Sequence, residues 1–324
     1  MRVLITGGAG FIGSHLAGDL LELGHTVDVI DDLSTGSMEN VSHLVDNPNF
    51  SIDVDTIENV EKLDAMVAKA DLVYHLAAAV GVQLVVERPL YTIEANIMGT
   101  KYVLEACAKN NNTKVVVAST SEVFGKSLDV PFREDGDVLL GPTTCSRWSY
   151  AASKMVDEFL ALAFYQERKL PAIVVRLFNT VGPKQTGRYG MVIPNFVRQA
   201  MEGENLTVFG DGTQSRCFGH VADACRALVG LAENEEAVGQ VFNVGTTEEV
   251  SINDLAKRII ELTDSKSEIT YVPYSEAYQP GFEDIARRMP DNSKVKDLLG
   301  WAPQNSLEDI LTSVIAHERS KQPN

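Results

Sequence analysis

Eight residues near the start of the chain, Thr6-Gly7-Gly8-Ala9-Gly10-Phe11-Ile12-Gly13, constrain the fold more than any other stretch. They follow a β-branched run, Arg2–Thr6, and open a segment with apolar residues at helical spacing, Phe11–Leu23. The glycines therefore occupy a strand-to-helix turn. Gly8, Gly10 and Gly13 fit G-x-G-x-x-G, while Gly7, Gly10 and Gly13 fit G-x-x-G-x-x-G. Either register gives a tight turn, backbone that approaches a pyrophosphate closely, and amides at the positive end of a helix. The next strand, Thr26–Asp31, ends in an acid. A carboxylate there accepts hydrogen bonds from the adenosine ribose hydroxyls and repels a 2′-phosphate, so the implied dinucleotide is NAD rather than NADP. Asp53, with Val54 beside it, closes a further strand and is a candidate for the adenine amino group.

The same alternation continues through the first half. Strands are expected at Leu72–Leu76, Lys114–Ala118 and Ala172–Leu177, and helices at Asn96–Lys109 and Tyr150–Arg168. Strands alternating with helices build right-handed βαβ units, hence an α/β chain with a doubly wound parallel sheet of Rossmann type. The rhythm changes after Asn179, at the loop Gly182–Gly187, so a dinucleotide-binding domain over residues 1–178 and a smaller α/β substrate domain over 179–324 are expected, with an interleaved boundary.

Tyr150-Ala151-Ala152-Ser153-Lys154 places a phenol and an ammonium one helical turn apart on one face. A cation near the phenol favours phenolate, which is expected to draw Tyr150 from about 10 toward neutrality. Such a phenol can take a proton from a substrate alcohol while NAD accepts a hydride.

These motifs occur with Tyr74-His75-Leu76-Ala77-Ala78, Asn96, Ser119-Thr120-Ser121, Arg176-Leu177-Phe178-Asn179, Arg216-x-Phe-x-His220-Val221-x-Asp223 and Arg287-Arg288-Met289-Pro290-Asp291. In this combination the chain resembles the extended short-chain dehydrogenases/reductases. More narrowly, it resembles the NAD-dependent nucleotide-sugar epimerases, dehydratases and decarboxylases. The resemblance implies that Tyr150 is the base at the sugar C4 hydroxyl. It makes Lys154 the partner of the phenol and the nicotinamide ribose, and Thr120 a hydrogen-bonding partner of the same hydroxyl. Gly7, Gly10, Phe11, Ile12, Gly13, Asp31, Asp53, Val54, Leu76, Ala77 and Asn96 become candidate cofactor contacts. Ser121, Asn179, Arg216 and Arg288 become candidate contacts of a nucleotide sugar, most readily a UDP-sugar.

Oxidation at C4 opens three routes: 4-epimerisation, 4,6-dehydration, and loss of CO2 from a 4-keto-uronic acid. Glu122 bears on the choice. On an extended segment it falls on the same side as Thr120, and Thr-Ser-Glu resembles the UDP-glucuronate decarboxylases and GDP-mannose dehydratases. Arg288 matches a decarboxylase arginine near the uronate carboxylate. The leading expectation is a UDP-glucuronate decarboxylase, followed by a UDP-hexose 4-epimerase and then a 4,6-dehydratase. Two departures count against the first. The loop after His75 reads Ala78-Ala79-Val80-Gly81-Val82 rather than a Pro/Ser-rich run, and Ala151-Ala152-Ser153 is a less polar turn than those decarboxylases carry. A non-catalytic dinucleotide sensor is expected to lose Tyr150 or Lys154, and this chain keeps both.

With 28 Lys+Arg against 45 Asp+Glu, a net charge of -17, nucleic acid and anionic membrane are poor partners. The apolar stretch Leu72–Val86 is too short to span a bilayer, and the glycine-rich start is not that of a signal peptide. Four scattered cysteines without ligand spacing suggest free thiols, a cytoplasmic protein and no metal site. The helices Asn96–Lys109 and Tyr150–Arg168 have broad apolar faces, and in the resembled family such helices form a homodimer interface. Lys184 and Arg188 are further candidate phosphate or carboxylate contacts. Trp148 and Phe124 are candidate pocket walls, with core packing the alternative.

Overall fold

The structure is a computed structural model describing residues 1–187, 190–273, 276 and 287–321. The first half runs β1 (Arg2–Thr6), α1 (Phe11–Glu22), β2 (Thr26–Asp31), β3 (Phe50–Val54), α2 (Val60–Val67), β4 (Leu72–His75), α3 (Val82–Glu87), α4 (Pro89–Lys109), β5 (Lys114–Thr120), α5 (Ser149–Arg168) and β6 (Ala172–Leu177). The second half adds β7 (Thr180–Val181), α6 (Val192–Glu202), β8 (Leu206–Phe209), β9 (Ser215–Cys217), β10 (Gly219–His220), α7 (Val221–Glu233), β11 (Val241–Val244), β12 (Glu249–Ser251), α8 (Ile252–Leu262), β13 (Ile269–Val272), α9 (Ser293–Leu299) and α10 (Leu307–Lys321).

Seven strands form one parallel sheet in the order β11-β6-β5-β4-β1-β2-β3. Its central strands are apolar on both faces: Val3, Leu4 and Ile5 of β1 are fully buried, as are Val115, Val116 and Val117 of β5. A sheet covered by helices on both faces requires this pattern. Val3, Ile5, Leu16 and Val29 pack in one layer with Leu228 of α7, while Leu4, Ile30, Val103, Leu104 and Ala161 pack in the other, with α4 and α5. Strand order reverses between β1 and β4, which opens a crevice outside the carboxyl ends of the strands. Thr6, Asp31, His75 and Thr120 all stand at those ends.

A separate apolar core, including Phe196, Val208, Leu255, Ile259, Ile310 and Leu311, lies in the second half. The chain nevertheless returns to the first core, since β11 pairs with β6 and Val221 of α7 packs with Leu16 and Val29.

Two local expectations are corrected. Helix α4 begins at Pro89 rather than Asn96, because proline at the first helical position has no amide to leave unbonded. Ser121–Phe124 is a 3-10 turn rather than an extended segment. Thr120 caps it, its hydroxyl accepting from the Glu122 amide at 3.2 Å.

Candidate active site

The glycine turn is built for close backbone contact. Gly7 has a φ of +74°, and a Cβ there would lie 2.7 Å from the Ala77 amide nitrogen. A Cβ on Gly13 would lie 2.3 Å from the Gly7 carbonyl oxygen, and one on Gly10 at 3.1 Å from the same atom. Glycine at these three positions lets the turn, the Ala77 backbone and the start of α1 pack this closely, the compact strand-to-helix turn that a pyrophosphate site uses. Asp31 supports the turn: its Oδ2 accepts from the Ala9 amide at 2.9 Å and its Oδ1 from Leu33 at 2.8 Å. Burial raises the Asp31 carboxyl, while those amides draw it partly back. Further lone pairs on both oxygens remain for ribose hydroxyls. The cradle and the acid fit a dinucleotide of the NAD type.

Val54 lies opposite Asp31 in the β2–β3 register, and Asp53 lies opposite Ile30. Asp53 pairs with Lys62 at 2.7 Å, and neither it nor Val54 lines the two cavities described below. Asn96 is buried beneath the site. Its Oδ1 accepts from the Ala79 amide at 2.8 Å, and its Nδ2 donates to the Ala79 carbonyl at 3.3 Å and to Ser153 Oγ at 3.0 Å. Its polar atoms brace the loop after β4 against α5.

A cavity of about 410 Å³ brings together Phe11, Ile12, Leu76, Thr120, Ser121, Glu122, Tyr150, Lys154, Asn179, Arg216 and Arg288. It adjoins a wider cleft of about 1240 Å³, sharing Phe11, Gln185 and Pro194 with it, that reaches Leu33 and Gly36 after β2. Asn179 Nδ2 donates to the Cys217 carbonyl at 2.9 Å, and Arg216 Nη1 donates to the Ser215 carbonyl at 2.8 Å. Lys184 lines the wider cleft and donates to the Asn40 carbonyl at 2.9 Å, while Arg188 lies outside the described residues.

At the inner end Glu122 is gripped by two guanidinium groups. Arg147 Nη1 donates to its Oε2, and Arg288 Nη1 donates to its Oε1 at 3.0 Å. Burial alone pushes the Glu122 carboxyl up, but the two arginines outweigh it and bring it down to about 2. Arg147 was not visible as a site residue in the sequence. The available signal was a cation three residues ahead of Tyr150, in Ser146-Arg147-Trp148-Ser149-Tyr150.

The expected lowering of Tyr150 is not found. Burial raises the phenol above its ordinary value, Glu122 adds to the rise, and a hydrogen bond with Thr120 draws it back; Asp157 raises it further and Arg147 lowers it. The Lys154 ammonium is turned to Asp157 at 2.7 Å instead. His75 bonds Thr6 and Thr100 inside the core, and burial holds it down to about 3, which makes it no base for substrate. Phe124 stacks on Phe132, and Trp148 packs with Ala151 against Leu140 and Cys145. Neither lines the 410 Å³ cavity, so both belong to the core.

A profile of the family GDP-mannose 4,6 dehydratase matches residues 4–314. The chain belongs to this family. Among its relatives is the UDP-N-acetyl-alpha-D-glucosaminuronate decarboxylase of Bacillus cytotoxicus, 42% identical over 97% of this chain and 96% of that protein. UDP-glucuronic acid decarboxylase 1 of Danio rerio is 36% identical over 98% of this chain and 72% of its own length. The fold of the family is shared by the UDP-glucuronic acid 4-epimerase of Bacillus cereus, solved in complex with UDP-glucuronic acid and NAD. That structure superposes with a TM-score of 0.89 at 30% identity over 99% of each chain.

Proposed function

We propose that this chain is an NAD-dependent decarboxylase of a UDP-linked uronic acid, with UDP-N-acetylglucosaminuronate the first choice and UDP-glucuronate the second. The observation that carries the reading is the Arg147–Glu122–Arg288 cluster opening on the same cavity as Tyr150 and Thr120. Two guanidiniums against one carboxylate leave a formal positive charge at the inner end, which suits a substrate carboxylate. The 42% relative favours the 2-acetamido sugar.

Gly7, Gly10, Phe11, Ile12, Gly13 and Asp31 would hold NAD, with Asp53, Val54, Leu76 and Ala77 at its margins, and NAD when bound supplies the hydride acceptor and donor at C4. Tyr150 takes the C4 hydroxyl proton, and Thr120 orients that oxygen. A uronate with a C4 ketone is a β-keto acid, so loss of CO2 leaves enolate charge on the C4 oxygen. Having taken the C4 proton, Tyr150 is a neutral phenol placed to donate a hydrogen bond to that oxygen. Glu122 shares both guanidiniums and thereby weakens their hold on the substrate carboxylate, which must be released. Asn179 and Arg216 are assigned to the diphosphate, and Ser121 to the sugar.

The division at residue 178 belongs to this reading, supported by the separate core of the second half. So does a homodimer. Leu90 and Ile93 on α4 and Val156 and Phe159 on α5 are exposed, Phe159 by 68%, and suit a second copy of the same surface. Four free thiols fit a reducing compartment such as the cytoplasm.

The test is incubation with NAD and, separately, UDP-N-acetylglucosaminuronate, UDP-glucuronate, UDP-glucose, GDP-mannose and dTDP-glucose, followed by product mass and NMR. Loss of CO2 from a uronate, abolished in Tyr150→Phe, is expected. A uronate of unchanged mass with an inverted C4 would instead establish a 4-epimerase.

A further inference from the structure

Asp157 has no assigned role, yet it is fully buried one turn beyond the lysine of the Tyr150–Lys154 pair. Lys154 Nζ donates to Asp157 Oδ2 at 2.7 Å, with the two side chains 3% and 0% exposed. The other carboxylate oxygen, Oδ1, is buried without a hydrogen-bond partner among the described residues. An under-satisfied buried carboxylate is costly, and its placement calls for a reason.

The surroundings of the pair are otherwise tightly organised. Thr100 of α4 acts on the Asp157 carboxylate and favours its charged form. The same Thr100 hydroxyl meets His75 Nε2 at 2.9 Å, His75 Nδ1 meets Thr6 Oγ1 at 2.8 Å, and the Ala77 amide donates to Thr6 Oγ1 at 3.3 Å. A neutral His75 has one N–H to give. Thr6 Oγ1 accepts from the Ala77 amide and, with a second lone pair and its own proton, can meet His75 Nδ1 in either tautomer. The floor of the dinucleotide turn is thus linked through β4 and α4 to the partner of Lys154.

We propose that Asp157 is a positioning residue for the Tyr150–Lys154 pair: by taking the Lys154 ammonium into a buried ion pair, it withholds that cation from the phenol. The proposal rests on the reading of Tyr150 as the base. The groups that act on Tyr150 are Glu122, Thr120 and Arg147 from the segments packed against α5 and Asp157 from α5 itself; Lys154 is not among these leading influences. Those acting on Asp157 are Lys154, Thr100 and the neighbouring Glu158. Burial raises the Asp157 carboxyl, and Lys154 and Thr100 bring it partly back. When Lys154 turns away, a buried carboxylate left alone takes up a proton. The resting place of the lysine and the acidity of the phenol are therefore coupled.

Asp157→Asn removes the anion and frees the ammonium to face the phenol. The ionisation of Tyr150 is read without substrate, as the tyrosinate absorbance difference between each protein and its Tyr150→Phe counterpart during a pH titration. Asp157→Asn is expected to move the Tyr150 midpoint down by about one pH unit, a roughly tenfold gain in phenolate at a given lower pH. Asp157→Glu, which keeps the charge, is expected to stay near the wild type. With UDP-uronate, the rising limb of kcat/KM against pH should move down with the phenol. A midpoint that stays or rises in Asp157→Asn overturns the proposal. If that variant does not fold, Thr100→Val weakens the hold on the carboxylate and should move the midpoint down by a smaller amount; no movement overturns the coupling. Failure of UDP-uronate to react, with the midpoint shifted, overturns the substrate assignment alone.

Discussion

Glu122→Gln is the perturbation whose consequence follows most directly from the geometry. The substitution keeps size and shape and removes the charge that binds Arg147 and Arg288. In the folded chain the Glu122 carboxyl falls from 4.5 to about 2, and at about 1.4 kcal/mol per pH unit this corresponds to about 3 kcal/mol of stability. Because the folded value is depressed, that stability is present above the unfolded carboxyl value. It is lost as pH falls from about 4.5 toward about 2. The Gln variant should lack this contribution at neutral pH and leave two buried guanidiniums with a neutral neighbour, a loss of roughly 3–5 kcal/mol for a broken buried pair. Urea unfolding of both proteins at pH 7 and at a series of values down to pH 3 measures it. The wild type should lose stability toward acid more steeply than the variant. Equal stability at pH 7, or parallel curves below pH 4.5, would refute the idea that the two arginines hold Glu122 ionised. Under the proposed chemistry the variant should also bind uronate more tightly and release CO2 more slowly. A faster turnover would count against a tempering role.

Two further outcomes test the cofactor and assembly readings. Asp31→Asn keeps an acceptor for one backbone amide but removes the charge, so binding titrations should show the preference for NAD over NADP falling by roughly tenfold or more; an unchanged preference would remove Asp31 from the ribose. Phe159→Glu puts a charge on the most exposed large apolar residue of α5. Light scattering after size exclusion should show a dimer for the wild type and a monomer for the variant, and a variant that remains dimeric would move the interface elsewhere.

What was legible in the sequence is what local chemistry decides. The limits of β1, β2 and β6 follow from β-branched runs between turns, and the glycine turn identifies itself by neighbours within a few residues. Tyr150 and Lys154 are readable because one helical turn joins them. The long-range partners of Glu122, beside them in the site, were not. Arg147 reaches Glu122 across 25 residues, and Arg288 reaches it across 166. No spacing rule carries such pairings. Asp157 was within reach, since it stands three residues from Lys154, but helical spacing alone does not reveal that both ends are buried. The mistaken direction for Tyr150 has the same origin: proximity in sequence suggested a charge acting on the phenol, whereas a third residue had already claimed it.

Strand β11 has a consequence for where such a chain can be cut. It is synthesised after the core of the second half has begun, yet it lies against β6 in the sheet of the first. A fragment ending at residue 178 would expose the full length of β6 as a bare edge and uncover the side of Val175 that meets Phe242. The first half cut at residue 178 would therefore need another strand to cover that edge. The two halves also meet at the site itself, where Arg288 of the second reaches Glu122 of the first, so the edge and the site are both completed by later segments.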